Sequence, residues 1–160
     1  MKTRTVASAM VLAFCLLGQP ALAGSKRPRD PCRTKQSNFD MRECYTKEHA
    51  KVDAQLNSYV GKIATALAKA TDKGPSATVP DDILRKAASA VTESQKSWNV
   101  YRDDYCTSVE DSYTTGSGAG TAYEECMFHL GQARLRELHR YFGSWLGEKP
   151  GKNDPDSFLL

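Results

Sequence analysis

Apolar positions recur along most of this chain at steps of three and four, the spacing that gathers side chains on one face of an α-helix. Val52, Leu56, Tyr59, Val60, Ile63, Leu67 and Ala70 form one such stripe, with Lys51, Gln55, Lys62 and Lys69 off it, and predict a first helix from near Phe39 to about residue 71. Its start carries Ser37-Asn38-Phe39-Asp40, a capping pattern in which the hydroxyl takes an orphan backbone N–H and the carboxylate reaches back. Leu84, Ala87, Ala88, Val91, Gln95, Trp98, Tyr101, Tyr105 and Val109 predict a second helix. It should begin near Pro80 or Asp81, because proline is tolerated in a first turn and Asp81 and Asp82 suit the positive end of the helix dipole. Met127, Leu130, Arg134, Leu138, Tyr141, Phe142 and Trp145 predict a third helix from about Ala122, ended by Gly147. No stretch alternates with the period of a strand, and no internal repeat appears.

The separators have the chemistry of loops. Asp72-Lys73-Gly74-Pro75-Ser76 is short, so the first two helices should pack as an antiparallel hairpin. Thr114 to Thr121 holds three glycines and no large side chain, and neither packing nor propensity favours a helix there, so an exposed, mobile loop is expected. The fold class that results is all-α, an antiparallel three-helix bundle. The start of the first helix, the end of the second and the start of the third then share one end.

The first 23 residues stand apart from this pattern. Lys2 and Arg4, the apolar run Val6 to Leu17 and the small-residue site Ala21-Leu22-Ala23 read as a secretory signal peptide, residues 1–23. Its apolar run is too short to cross a bilayer core of roughly 30 Å, so no stable membrane insertion is expected. Lipidation at Cys15 is disfavoured because bulky Phe14 precedes it inside the apolar region. The remaining organisation is an extended basic segment over 24–36, a helical domain over 37–147 and a flexible polar tail over 148–160. The expected location is periplasmic or secreted.

Losing Lys2 and Arg4 with the leader leaves 20 of the 22 basic residues against 19 acidic ones, a formal charge of +1. That balance removes the electrostatic argument for nucleic acid, whose binding depends on many Lys and Arg contacts to phosphate. The four cysteines of the exported part, Cys32, Cys44, Cys106 and Cys126, are even in number and free to oxidise outside the cytoplasm. They form no Cys-x-x-Cys knuckle, and His49, His129 and His139 lack ligand spacing, so two disulfides are expected and no metal or cofactor. All four cysteines converge on the shared end of the bundle. Three connectivities are open, of which Cys32–Cys44 with Cys106–Cys126 is favoured because each closes a local loop.

Catalytic patterns are missing. There is no Gly-x-Ser-x-Gly elbow, no His-Glu-x-x-His and no phosphate-binding glycine motif, and oxidised cysteines offer no nucleophile. The paired carboxylates Asp103-Asp104, Glu110-Asp111 and Glu124-Glu125 are sequence neighbours, which point different ways on a helix. They read as a solvated acidic end and not as a catalytic dyad.

The segment Gln95-Lys96-Ser97-Trp98-Asn99-Val100-Tyr101-Arg102-Asp103-Asp104-Tyr105-Cys106 resembles the Gln-x-x-Trp-x-x-aromatic-Arg-Asp-x-x-Cys signature of the lysozyme inhibitor LprI N-terminal domain family. Flanking residues agree: Cys32 and Cys44 precede, Asp53-x-x-Leu56-Asn57 follows, and Gly116-Ser117, Cys126, Arg134 and Leu138 fall in order, so the resemblance runs from Cys32 to Tyr141. Two positions depart from it. Val60 stands where the family has tyrosine, with Tyr59 one step early, and Gly131 stands where a threonine is common. The resemblance implies a small, exported, disulfide-stabilised helical domain and, for some members, inhibition of lysozyme.

Most of these motif residues have a structural reading. Trp98 and Tyr101 lie on the apolar stripe and should be core, and Arg102 or Arg134 should pair with Asp53, because charges directed toward a core need partners. For a lysozyme partner, the candidate contact is the Gly116-Ser117-Gly118 loop, with Glu110, Asp111, Glu124 and Glu125 as an acidic rim that steers toward a basic enzyme. The alternative is an envelope interaction or immunity protein that binds another secreted partner through the aromatic C-terminal face, His139, Tyr141, Phe142 and Trp145.

Overall fold

The computed structural model describes residues 30–70, 79–114 and 116–148. The expectations for the leader, for residues 24–29, for most of the first interhelical link and for the tail beyond 148 lie outside the described residues. Three long helices make up the fold: α1 over Asn38–Lys69, α2 over Asp81–Ser112 and α3 over Ala119–Phe142, followed by a 3₁₀ turn over Gly143–Leu146. Each helix packs on both others. Among the described residues no helix is long and apolar enough to cross a membrane.

Local signals in the sequence set most boundaries. Ser37 caps α1, accepting the Asp40 N–H at 3.1 Å while donating its hydroxyl to the Asp40 carboxylate at 2.7 Å. Pro80 precedes α2, whose first turn holds Asp81 and Asp82. The 3₁₀ turn ends at Gly147, whose φ of 71° is the left-handed conformation that glycine adopts without steric cost.

Residue pairings fix the helix directions. Asn38 meets Thr121, Val52 faces Gly131 and Tyr59 stacks on His139, so α1 and α3 run parallel. Arg102 meets Asp53, and Gln95 meets Arg134, so α2 runs opposite to both. The bundle is therefore up-down-up, with Leu56, Ile63, Leu67, Val91, Phe128 and Leu138 among its buried residues. Disulfides join Cys32 to Cys44 and Cys106 to Cys126, the locally closing pair of connectivities.

Two expectations are corrected. On α2 the buried face runs through Gln95, Arg102 and Cys106, whereas Tyr101 and Tyr105 are 55% and 48% exposed and stack on each other outside. The disulfide draws Cys106 inward and the ion pair draws Arg102 inward, and those two anchors rotate the tyrosines out of the core. The second correction concerns α3, which starts at Ala119 and not near Ala122. Its first residues are small enough to lie against the N-terminal turns of α1, and this packing outweighs the poor helix propensity of Gly120.

Candidate functional site

The end of the bundle shared by the start of α1, the end of α2 and the start of α3 carries the Gly-Ser turn. Thr114 adopts φ 55°, and two successive backbone bonds, Gly116 N–H to Tyr113 O at 3.2 Å and Ala119 N–H to Gly116 O at 3.1 Å, fold the chain directly into α3. The loop expected from Thr114 to Thr121 thus includes a short turn that leads into the first helical turn of α3. Gly116 and Ser117 face solvent, Gly118 is half-buried, and Thr121, at the far end of the expected loop, is buried inside the helix.

Asn38 clasps this turn from α1. Its Nδ2 donates to Ser117 Oγ at 3.2 Å, and its backbone carbonyl accepts the Thr121 hydroxyl at 2.9 Å. Gly120 lies so close to the Arg42 guanidinium that an added Cβ would sit 2.8 Å from its central carbon. Asn38 and Arg42 are thus part of the site, although no sequence pattern links either to a glycine loop so far along the chain.

The four carboxylates expected on the rim separate. Asp111 is exposed and Glu110 half-buried, both on the last turn of α2 beside the Gly-Ser turn. Glu124 is buried, its Oε2 lying 2.5 Å from His49 Nδ1 of α1. Glu125, half-buried, turns toward Asp30 and His129. The physical reason is the 100° step between neighbours on a helix, which directs Glu124 into the α1 interface and Glu125 to the side of α3 that faces the N-terminal segment. The solvated rim therefore consists of Glu110 and Asp111.

Five motif residues, Asp53, Gln95, Trp98, Arg102 and Arg134, assemble into one internal network. Arg102 Nη1 and Nη2 donate to the two Asp53 oxygens at 2.5 and 3.0 Å, and the guanidinium lies over the Trp98 ring, 4.9 Å from its centroid. Arg134 Nε donates to Gln95 Oε1 at 3.3 Å, and Arg134 also reaches Ser94 and Glu137. Leu56 and Leu138 are buried, whereas Asn57 is exposed. Asp103 accepts the Tyr123 hydroxyl at 2.6 Å. That bond to a carboxylate, reinforced by partial burial and nearby negative charge, pushes the Tyr123 pKa up to about 12.

The aromatic C-terminal face mostly turns inward. His139 sits 3.1 Å from Glu148 and stacks on Tyr59, whose hydroxyl donates to the same Glu148 at 2.6 Å. Phe142 and Trp145 pack against the core, leaving Tyr141 exposed.

Residues 30–138 match the family described as lysozyme inhibitor LprI. The chain belongs to the lysozyme inhibitor LprI family. No curated protein and no solved structure matches it. The LprI match covers α1, α2, both disulfides and α3 as far as Leu138. The family's description supports a general role as a lysozyme inhibitor and implies a protein partner such as lysozyme. With two disulfides the chain also fits an exported protein.

Proposed function

We propose that this LprI-family protein is exported by cleavage after Ala23 and inhibits a lysozyme by presenting Gly116, Ser117 and Gly118 to the enzyme's active-site cleft. The observation that supports this contact is the Asn38–Ser117 hydrogen bond at 3.2 Å on an otherwise exposed turn. Ser117 Oγ accepts from Asn38 there, so its own hydroxyl proton is available to donate outward. Lysozymes work with two carboxylates around a sugar-binding groove, and an outward donor on a turn with no bulky side chain suits such a groove. Glu110 and Asp111 supply negative charge beside the turn, complementary to a basic enzyme.

The experiment is a titration of the oxidised protein against lysozyme-catalysed hydrolysis of cell-wall peptidoglycan. Inhibition is expected at micromolar protein, weakened about tenfold in Ser117→Ala, which corresponds to the loss of roughly 1.4 kcal/mol, the size of one hydrogen bond to a charged group. Asp111→Lys should weaken it further and reduce its salt dependence. Absence of any inhibition by the unaltered protein at these concentrations sinks the reading. Full inhibition by both variants moves the contact surface away from this turn.

A further inference from the structure

A second cluster lies on the side of the bundle where the N-terminal segment crosses α3. Among the described residues, Asp30, Glu125 and His129 form the one group of three potential metal ligands, each offering an atom within 4.8 Å of the others. His129 Nε2 is 3.8 Å from Asp30 Oδ2 and 3.7 Å from Glu125 Oε1. Around a four-coordinate zinc ion with bonds of about 2.0–2.2 Å, ligand atoms stand roughly 3.4 Å apart, so a small closing adjustment brings these three into range.

The arrangement is oriented by its surroundings. Asp30 Oδ1 accepts the Cys32 N–H at 2.9 Å, and Oδ2 accepts the Tyr45 hydroxyl at 2.6 Å. Cys32 is itself fixed to Cys44 by a disulfide, and Tyr45 is 2% exposed. Glu125 and His129 stand four positions apart on α3, which places both on one face. The His129 ring rests against Phe128 and Tyr45, with centroids 5.1 and 6.2 Å away. The Cys32 N–H and Tyr45 hydroxyl bonded to Asp30 resemble the outer hydrogen bonds that position metal ligands. The cluster opens on a hollow of about 1010 Å³, which leaves room for water in the remaining coordination positions.

We propose that Asp30, Glu125 and His129 form an open three-ligand site for a divalent zinc-class ion, which ties the N-terminal segment to α3. Imidazole favours such a borderline metal over calcium or magnesium, which prefer oxygen alone. Arg33 and Arg136 line the same hollow, and their charge lowers the affinity below that of a four-ligand structural site.

The test is competition for zinc against a chromophoric chelator, using the intact, oxidised, tag-free protein at pH 7.5. One equivalent per chain is expected. Affinity should drop at least tenfold in Glu125→Gln and in His129→Asn, but remain unchanged in His139→Asn, which alters the other exposed His–Glu pair. Zinc should also raise the thermal midpoint of the unaltered protein and fail to raise that of Glu125→Gln, an isosteric change at a half-buried surface position. Failure of the unaltered protein to bind one equivalent, or equal binding by Glu125→Gln and His129→Asn, overturns the proposal. This readout is independent of lysozyme inhibition.

Discussion

Arg102 and Asp53 face each other across the α1–α2 interface in a two-pronged contact, with both carboxylate oxygens engaged, and their exposures are unequal: 6% for the arginine side chain and 33% for the aspartate. The asymmetry has an energetic consequence. Removing the aspartate leaves a buried guanidinium unpaired, whereas removing the arginine leaves a carboxylate that water can reach.

Asp53→Ala should therefore cost about 3 kcal/mol of stability and Arg102→Met less, with the double variant costing less than the sum of the two. Urea denaturation of the four proteins measures this directly. Equal and additive losses would show that the two groups do not interact.

Two glycines within helices should respond in opposite ways to the same substitution. A Cβ on Gly131 would lie 2.6 Å from Val52 Cγ1, and valine has little χ1 freedom in a helix with which to yield. Gly131→Ala should destabilise by about 1–3 kcal/mol, the usual range for overpacking, and Val52→Ala should relieve it. Gly61 meets nothing within 4 Å, so Gly61→Ala should stabilise by about 0.5–1 kcal/mol. Thermal midpoints moving in the same direction in the two single variants would contradict the packing described.

The Tyr123 hydroxyl predicts an alkaline limit to stability. Its pKa rises from 10.0 in the unfolded chain to about 12 in the folded one, so its contribution is complete below pH 10 and is lost as pH climbs toward 12. Tyr45 and Tyr59, withdrawn from water in whole or in part and also bonded to carboxylates, shift in the same direction. Denaturant midpoints should fall between pH 10 and 12, less steeply in Tyr123→Phe. An unchanged slope in that variant would remove Tyr123 from the explanation.

The Cys106–Cys126 bridge closes the longer loop, with a separation of 20 residues against 12 for Cys32–Cys44. In the chain-entropy picture each bridge contributes about 3 kcal/mol, slightly more for the longer loop. Cys106→Ala with Cys126→Ala should lower stability by about that amount, and should weaken lysozyme inhibition because the bridge joins the two helices that carry the Gly-Ser turn. Circular dichroism melts and the cell-wall assay, run side by side, check both parts.

The sequence by itself determined what depends on neighbours along the chain. Helical periodicity marked all three helices, Ser37 and Gly147 marked ends, and local closure favoured the disulfide pairing, because each of these is a property of residues a few positions apart. Tertiary structure decided what depends on residues brought together from separate helices. The direction in which Tyr101 and Glu124 point was settled by Arg102, Cys106 and His49, which compete for the limited space at the helix interfaces. Ala119 and Gly120 were drawn into α3 because Asn38 and the small first turn fit together, a gain no propensity registers. Asp30 joined Glu125 and His129 for the same reason: chain folding, and not sequence spacing, sets the distance between groups on different elements.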